Sequence, residues 1–210
     1  MKEIATIPLF AIPLTVYEIE HIDQEKIEKI LKSLKYNKID KFSKHSLIGK
    51  DLKILNNVKE FQSLKIKIEQ AVNNFSEKIM GNKKTNFALT SSWATKTRPG
   101  ESSDIHKHSN NMISAVYYNY THDDMGEIRF FNNNNNTFEL DVENYNIFNS
   151  TYWNVKPLNK NLIMFPSYLK HSIRPNKSQK TRYSIACNFH PIGDYGAGDS
   201  RISGLNYDHA

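Results

Sequence analysis

Cysteine is almost missing from this chain: among 210 residues only Cys187 carries a thiol. One thiol cannot close an internal disulfide, so the fold has to rest on its core, and such sparing use fits a reducing compartment. Long apolar runs are lacking too. None approaches the ~20 residues of a membrane-spanning helix, so no membrane partner is expected. The apolar N-terminus has neither the basic region nor the cleavage site of a secretory signal, and the expected location is the cytoplasm. No internal repeat and no compositional break marks a second domain. A length of 210 residues suits one domain with a full core, to which 11 Tyr and 11 Phe contribute.

Clustered charge is also absent. The formal net charge of +6 admits a nucleic acid or another anionic partner. Yet the lysines are scattered, and abundant Lys, Asn and Ile together is the drift of a coding sequence rich in A and T. A solvated surface is the plainer reading.

What is present divides into a helical first part and a strand-rich second part. From Ile4 to Ile19 the pattern, broken by Pro8 and Pro13, predicts extended segments at a sheet edge, where a missing N–H is tolerated. Asp23 is placed to cap a helix carrying Ile27, Ile30, Leu31 and Leu34. The polar stretch from Tyr36 to Lys53 reads as loop. Val58, Phe61, Leu64, Ile68, Val72, Phe75 and Ile79 then form one helical stripe, stopped at Gly81, and such a stripe is core rather than binding surface. Strands are predicted from Phe87 to Arg98, Met112 to Tyr120 and Gly126 to Phe131, with Asn132 to Asn136 a loop because asparagine tolerates left-handed backbone.

The chemistry is concentrated between Arg98 and Phe189. Residues two apart on a strand share a face, so His106 and His108 can present both imidazoles to one point. His171, after the apolar run Leu162 to Phe165, adds a third from elsewhere in the chain. Three such ligands leave metal positions open, which suits chemistry rather than structural stapling. Eight histidines also allow a pair at spacing two by chance. Asp104 shares the face of His106 if the strand reaches that far. Its carboxylate would then be an alternative ligand, or an acceptor orienting a ring N–H, or simply a solvated loop group. Further on, Tyr183, Ile185, Cys187 and Phe189 form a core face, while Arg182, Ser184, Ala186 and Asn188 occupy the other. A guanidinium beside a hydroxyl is a seat for a carboxylate, and a buried Arg without a ligand would be costly.

Taken in order, His106-Lys107-His108, Tyr117-Tyr118, His171 and Arg182-Tyr183-Ser184 resemble the iron(II)- and 2-oxoglutarate-dependent oxygenases. Ser92-Trp93, Ser114-Ala115-Val116-Tyr117-Tyr118, Phe165-Pro166-Ser167 and the opening Pro8-Leu9-Phe10 are similar to one oxygenase family found in many phages and marine bacteria. The resemblance spans nearly the whole chain. It implies a mainly β protein with flanking helices (α+β): a double-stranded β-helix, or jelly-roll, with two N-terminal supporting helices. Residues 1–85 would supply the edge strand and helices, 86–192 the jelly-roll core and 193–210 a C-terminal tail. One departure stands out, because the wider superfamily uses His-x-Asp and a distal His, whereas position 108 here is His. Three imidazoles carry no ligand charge and should hold iron(II) less firmly.

By this resemblance His106, His108 and His171 are the metal ligands, with Asp104 at most behind them. 2-Oxoglutarate would be bound by Arg182 and Ser184, and by Tyr118 if it is not simply a core tyrosine. With iron(II) and O2, the implied reaction is hydroxylation of a C–H bond with release of succinate and CO2. Trp93 or Trp153, Lys96, Arg98 and Asn188 are candidates for the pocket mouth, Trp93 and Asn188 foremost. Oxygenases that repair alkylated bases carry a second arginine six residues after the first, a place held here by Asn188. Nucleic acid is therefore not favoured, and a peptide or protein side chain or a small molecule is expected as substrate. Two rivals keep the histidines but change their use: a non-enzymatic jelly-roll module, as in a phage particle, and a three-histidine cupin-type dioxygenase that does without 2-oxoglutarate.

Overall fold

The computed structural model describes residues 1–38, 45–132 and 141–207. Helices form where apolar spacing is helical. Asp23 caps the first, its carboxylate accepting the Lys26 N–H at 2.9 Å, and α1 (Gln24–Ser33) buries Ile27 and Leu31. The stripe from Val58 to Ile79 is not one helix. A short α2 (Ile54–Asn57) and a 3-10 turn (Lys59–Phe61) precede α3 (Gln62–Lys78), with Val58 extended between them. The early segment is tied to the sheet instead: the Ser92 N–H donates to the Leu52 carbonyl at 2.8 Å, and Ser92 Oγ accepts the Leu55 N–H at 3.0 Å. Phe61, Leu64, Ile68, Val72 and Phe75 are buried, while Ile79 lies past the helix and is half exposed.

The strands are β1 (Thr15–Glu18), β2 (Tyr36–Lys38), β3 (Leu47–Gly49), β4 (Asn86–Thr97), β5 (Ile113–Tyr118), β6 (Ile128–Phe131), β7 (Tyr152–Val155), β8 (Asn161–Pro166), β9 (His171–Ile173), β10 (Arg182–Tyr195) and β11 (Ile202–Leu205). The larger sheet runs β1-β8-β5-β10-β4-β3-β2, with β11 folded back on β10; the smaller runs β7-β6-β9. All of these strand pairs are antiparallel. β1 is an edge strand, as the proline-broken N-terminal pattern predicts. The stretch from Tyr36 to Lys53 corrects the expected loop: β3 pairs with β4 through Leu47↔Lys96 and Ile48↔Thr95, and so extends the sheet. Of the expected asparagine loop only Asn132, just past β6, is described; positions 133–136 lie outside the described residues.

Two cores follow from the alternation of side chains across the larger sheet. Tyr183, Ile185, Cys187 and Phe189 of β10 face α1 and α3, in a cluster with Leu31, Leu64, Ile68 and Phe75. The opposite face meets the smaller sheet, where Val116, Tyr118, Ile163, Phe165 and Ala186 pack against Ile128 and Phe130. The protein is thus mainly β, two antiparallel sheets enclosing a second core, with helices on the outside of one. Among the described residues no helix is long and apolar enough to cross a membrane.

Candidate active site

Backbone pairing assembles the histidines. The segment 103–108 lies along β9: His106 and His171 exchange both N–H···O bonds at 2.9 Å, and the Ser103 N–H donates to the Ile173 carbonyl at 3.0 Å. The His108 N–H is fixed by the Ser167 carbonyl at 3.0 Å. Ligand nitrogens of His106, His108 and His171 all lie within 4.8 Å of one another. This separation suits three imidazoles converging on one ion.

Each ring is also held from behind. Nδ1 of His171 lies 3.0 Å from the Leu169 carbonyl, Nδ1 of His106 2.9 Å from the Asp104 carbonyl, and Nδ1 of His108 2.6 Å from Oδ1 of Asn188. An oxygen of this kind only accepts, so each Nδ1 carries the proton and each Nε2 keeps its lone pair for a metal. Burial, and then the neighbouring His106, hold the His171 imidazole neutral down to about 3. Burial likewise lowers the pKa of His108, with the Asn188 hydrogen bond opposing it. Neutral imidazole is the state that binds metal. Phe165 and Phe130 wall His171 at ring distances of 4.8 and 5.8 Å, and Trp93 stands 5.5 Å from His108.

The structure places the Asp104 carboxylate away from the histidines and Asn188 away from the pocket mouth. The Asp104 carboxylate points away from the cluster to His45, 3.2 Å from its Nε2, and it is the backbone carbonyl of Asp104 that holds His106. Asn188, expected at the pocket mouth, is buried behind His108, because its place on β10 sets it across from Ser114 and Ser91. Lys96 and Arg98 are also elsewhere: Lys96 lies over the rings of Tyr36 and Tyr183 on the helix side of the sheet, and Arg98 is paired to Glu101. Trp153 stands opposite Phe130 in the smaller sheet and is half exposed.

Arg182 is the other feature of the interior. It is 1% exposed, and among the described residues no carboxylate pairs with it. Nη1 donates to the carbonyls of Met125 and Gly126 at 2.8 and 2.7 Å, and Nη2 reaches Thr97 Oγ1 at 3.3 Å. Nε has no partner, and neither has the buried hydroxyl of Tyr118, whose ring lies 5.5 Å from the guanidinium carbon. Burial raises the Tyr118 pKa and so keeps that hydroxyl a donor, though Arg182 pulls the other way. Ser184, also buried, is the cross-strand partner of Tyr118. A buried cation with an orphaned N–H beside an orphaned O–H fits one end of a dianion, and neutral imidazoles fit a divalent ion.

Sequence reasoning missed the groups that hold these residues in place. Gly126 turns at φ +84°, where a side chain would run into the Arg174 carbonyl oxygen, and this turn aims two carbonyls at Arg182. Asn176 pins the hairpin before β10, its Nδ2 donating to the carbonyls of Thr97 and Lys180 at 3.0 and 2.8 Å. The glycine in Met125-Gly126-Glu127 was the visible signal for the first; nothing local marks the second.

Residues 91–188 match the family described as "Putative 2OG-Fe(II) oxygenase". Over residues 91–188 this chain is identified as a 2OG-Fe(II) oxygenase. No curated protein matches this oxygenase in sequence. Among solved structures it is similar to HygX from Streptomyces hygroscopicus with nickel, 2-oxoglutarate and hygromycin B bound (TM-score 0.62, 11% identity, covering 92% of this chain and 92% of that one). It is similar also to a prolyl hydroxylase from Trichoplax adhaerens in complex with a hypoxia inducible factor peptide fragment (0.59, 11%, 84% and 83%). A third is a Pseudomonas putida prolyl-4-hydroxylase (0.57, 15%, 87% and 95%). At such identities the shared property is the fold, the jelly-roll of these oxygenases. The oxygenase's cofactors are iron(II), 2-oxoglutarate and O2.

Proposed function

We propose that this oxygenase hydroxylates a C–H bond of a peptide or protein side chain or of a small molecule, with residues 1–210 acting as one domain. In this reading His106, His108 and His171 hold iron(II). The far carboxylate of 2-oxoglutarate takes the Nε edge of Arg182, the Tyr118 hydroxyl and Ser184. The observation that carries it is Arg182: a fully buried guanidinium with an unpartnered Nε, on the same face of β10 as Asn188, which holds His108 of the histidine cluster.

Bound iron(II) supplies the redox chemistry by which O2 oxidises 2-oxoglutarate to succinate and CO2 while one oxygen atom passes to the substrate. The chain's own residues orient and desolvate. Met125, Gly126 and Thr97 fix the guanidinium before any ligand arrives, so little side-chain entropy remains to be lost on binding. Phe130, Phe165 and Trp93 make the surroundings of the imidazoles apolar and keep water from the reacting groups. A dioxygenase working without 2-oxoglutarate, or a structural module, would leave the buried Arg182 without an anion.

On the substrate side, the similar structures hold hygromycin B in one case and a peptide fragment in another. Trp93, partly exposed beside His108, is the wall a substrate would meet here. Asn188, the place of a base-repair arginine, is committed to His108, which supports a peptide or small-molecule substrate over nucleic acid.

Anaerobic titration of the iron(II)-loaded protein with 2-oxoglutarate tests the reading through the visible charge-transfer band of the chelate. The band is expected in the wild type. Arg182→Ala should bind iron yet need about tenfold to a hundredfold more 2-oxoglutarate, as loss of charge-assisted hydrogen bonds implies. His171→Ala should lose the iron. An iron-loaded wild type that gives no band, or equal iron loss in both variants, would overturn it.

A further inference from the structure

Beneath His108, neighbouring strands of the larger sheet each contribute one polar side chain at the same level. Asn188 of β10 pairs in register with Ser91 of β4 and with Ser114 of β5, and Ser167 follows β8. Nδ2 of Asn188 donates to Ser91 Oγ at 3.0 Å, while its Oδ1 accepts from Ser114 Oγ at 2.8 Å and from His108 Nδ1 at 2.6 Å. Ser114 Oγ lies a further 2.8 Å from Ser167 Oγ and 3.0 Å from the same ring nitrogen. Asn188, Ser114 and Ser167 are all buried. A polar seam of this kind costs desolvation across an apolar sheet and must be fully connected to be tolerated. This one is connected, and it ends on an imidazole.

The backbone is shaped around the same point. The pairing of β10 with β4 shifts register between Asn188 and Phe189, where Thr90 is the extra residue of a bulge. Thr90 Oγ1 caps the Asn188 carbonyl at 3.1 Å and reaches Asn111 Oδ1 at 2.6 Å. Bulges re-aim side chains beside functional sites, and here the re-aimed strand carries Ser91 to the amide.

The three rings differ in what holds them. His106 and His171 are oriented by backbone carbonyls, which always accept. His108 alone depends on a side chain with two chemically opposite ends. An amide turned about would present N–H to Nδ1, force the proton onto Nε2 and remove the lone pair that faces the other histidines. We infer that Asn188 is a positioning residue which, clamped by Ser91 and Ser114, locks His108 in its metal-binding tautomer. The inference rests on the reading of the three histidines as iron ligands. It also accounts for the histidine at position 108: an imidazole there needs an acceptor behind it, and the seam provides one.

Cobalt(II), whose visible bands report its ligand set without turnover, is the probe. Wild type, His171→Ala, Asn188→Leu, Asn188→Asp and Ser91→Ala are titrated with cobalt(II), and the metal-free melting of each is recorded. Asn188→Leu keeps the volume without an acceptor and should bind about tenfold to a hundredfold more weakly. Asn188→Asp restores an acceptor and should recover most of that loss with the wild-type spectrum. Ser91→Ala leaves the ring untouched but frees the amide, and should weaken binding by a few-fold while melting close to wild type. Wild-type affinity in both Asn188→Leu and Ser91→Ala would overturn the inference and leave the iron site standing. Equal loss in Asn188→Leu and Asn188→Asp would reduce Asn188 to a packing role. If cobalt(II) binding to wild type survives in His171→Ala, or does not occur at all, the iron-site reading fails first and takes this inference with it.

Discussion

At the scale of single residues, the site sets neutral imidazoles against a buried cation. His108 stands where a carboxylate is usual in the wider superfamily, so a metal held in the proposed way would gain no compensating charge. His108→Asp should therefore still bind iron(II) or cobalt(II), since a carboxylate at that place brings the charge that three imidazoles lack, whereas His108→Ala should bind far more weakly. Metal titration separates the two, and unchanged binding in His108→Ala would remove His108 from the ligand set. His171 makes a second prediction through its protonation. In the folded metal-free protein it stays neutral down to about 3, chiefly through burial, while in the unfolded chain it titrates near 6.5. Above about 6.5 both states are neutral and His171 adds no pH dependence. As pH falls from there towards about 3 the unfolded state alone takes up the proton, so stability declines across that window and the loss is complete at its lower end. Melts of metal-free protein at pH 7 and pH 5 should show a smaller difference in His171→Ala than in wild type; equal differences would mean the folded ring titrates normally.

At the scale of elements, what could be read in advance followed the periodicity available. α1 and α3 show helical spacing over several turns, and β10 separates Tyr183, Ile185, Cys187 and Phe189 from Arg182, Ser184, Ala186 and Asn188 by simple alternation, so both were legible. β2 and β3 have three residues each, too few for a period, and β7 is exposed on both sides and so has no apolar alternation to show. Asp104 stayed open between ligand, acceptor and solvated loop group because residue type cannot tell a ligating carboxylate from a backbone carbonyl, and it is the carbonyl that reaches His106. The role of Asn188 needed strand register, and the bulge at Thr90 needed the pairing itself. The turn that seats Arg182 shows how an element too small to be predicted can govern the site. Gly126→Ala combines a left-handed φ with a clash against the Arg174 carbonyl, and should cost about 1–3 kcal/mol of stability. Displacing the two carbonyls that aim Arg182 should also raise the 2-oxoglutarate requirement while leaving metal affinity near wild type. Denaturant unfolding and the two titrations check both halves; a stability loss with unaltered 2-oxoglutarate binding would show that the turn supports the fold alone.

At the scale of the molecule, one large sheet serves two purposes at once. Its outer face, buried by α1 and α3, is an apolar core with its own stability, which leaves the inner face able to keep Arg182 and Tyr118 buried with an N–H and an O–H unpartnered. Removing a charge from water without a counter-ion is among the costlier things a fold can do, and breaking off the partner of a buried ion is correspondingly destabilising. Metal and 2-oxoglutarate should therefore act as stabilisers. At about a hundredfold over its dissociation constant a ligand adds about 2.7 kcal/mol, which for a chain of this size raises the melting temperature by roughly 5–10 °C. With a redox-inert divalent ion present, adding 2-oxoglutarate to the wild type should give a shift of that order, measured by differential scanning calorimetry. Arg182→Met loses the buried charge but also orphans the Met125 and Gly126 carbonyls, so its ligand-free melting should differ little from wild type. Its response to 2-oxoglutarate should fall by about half or more while its response to metal alone persists. A full 2-oxoglutarate shift in Arg182→Met would place the dianion elsewhere and leave the buried guanidinium as a structural clamp on the turn at Gly126.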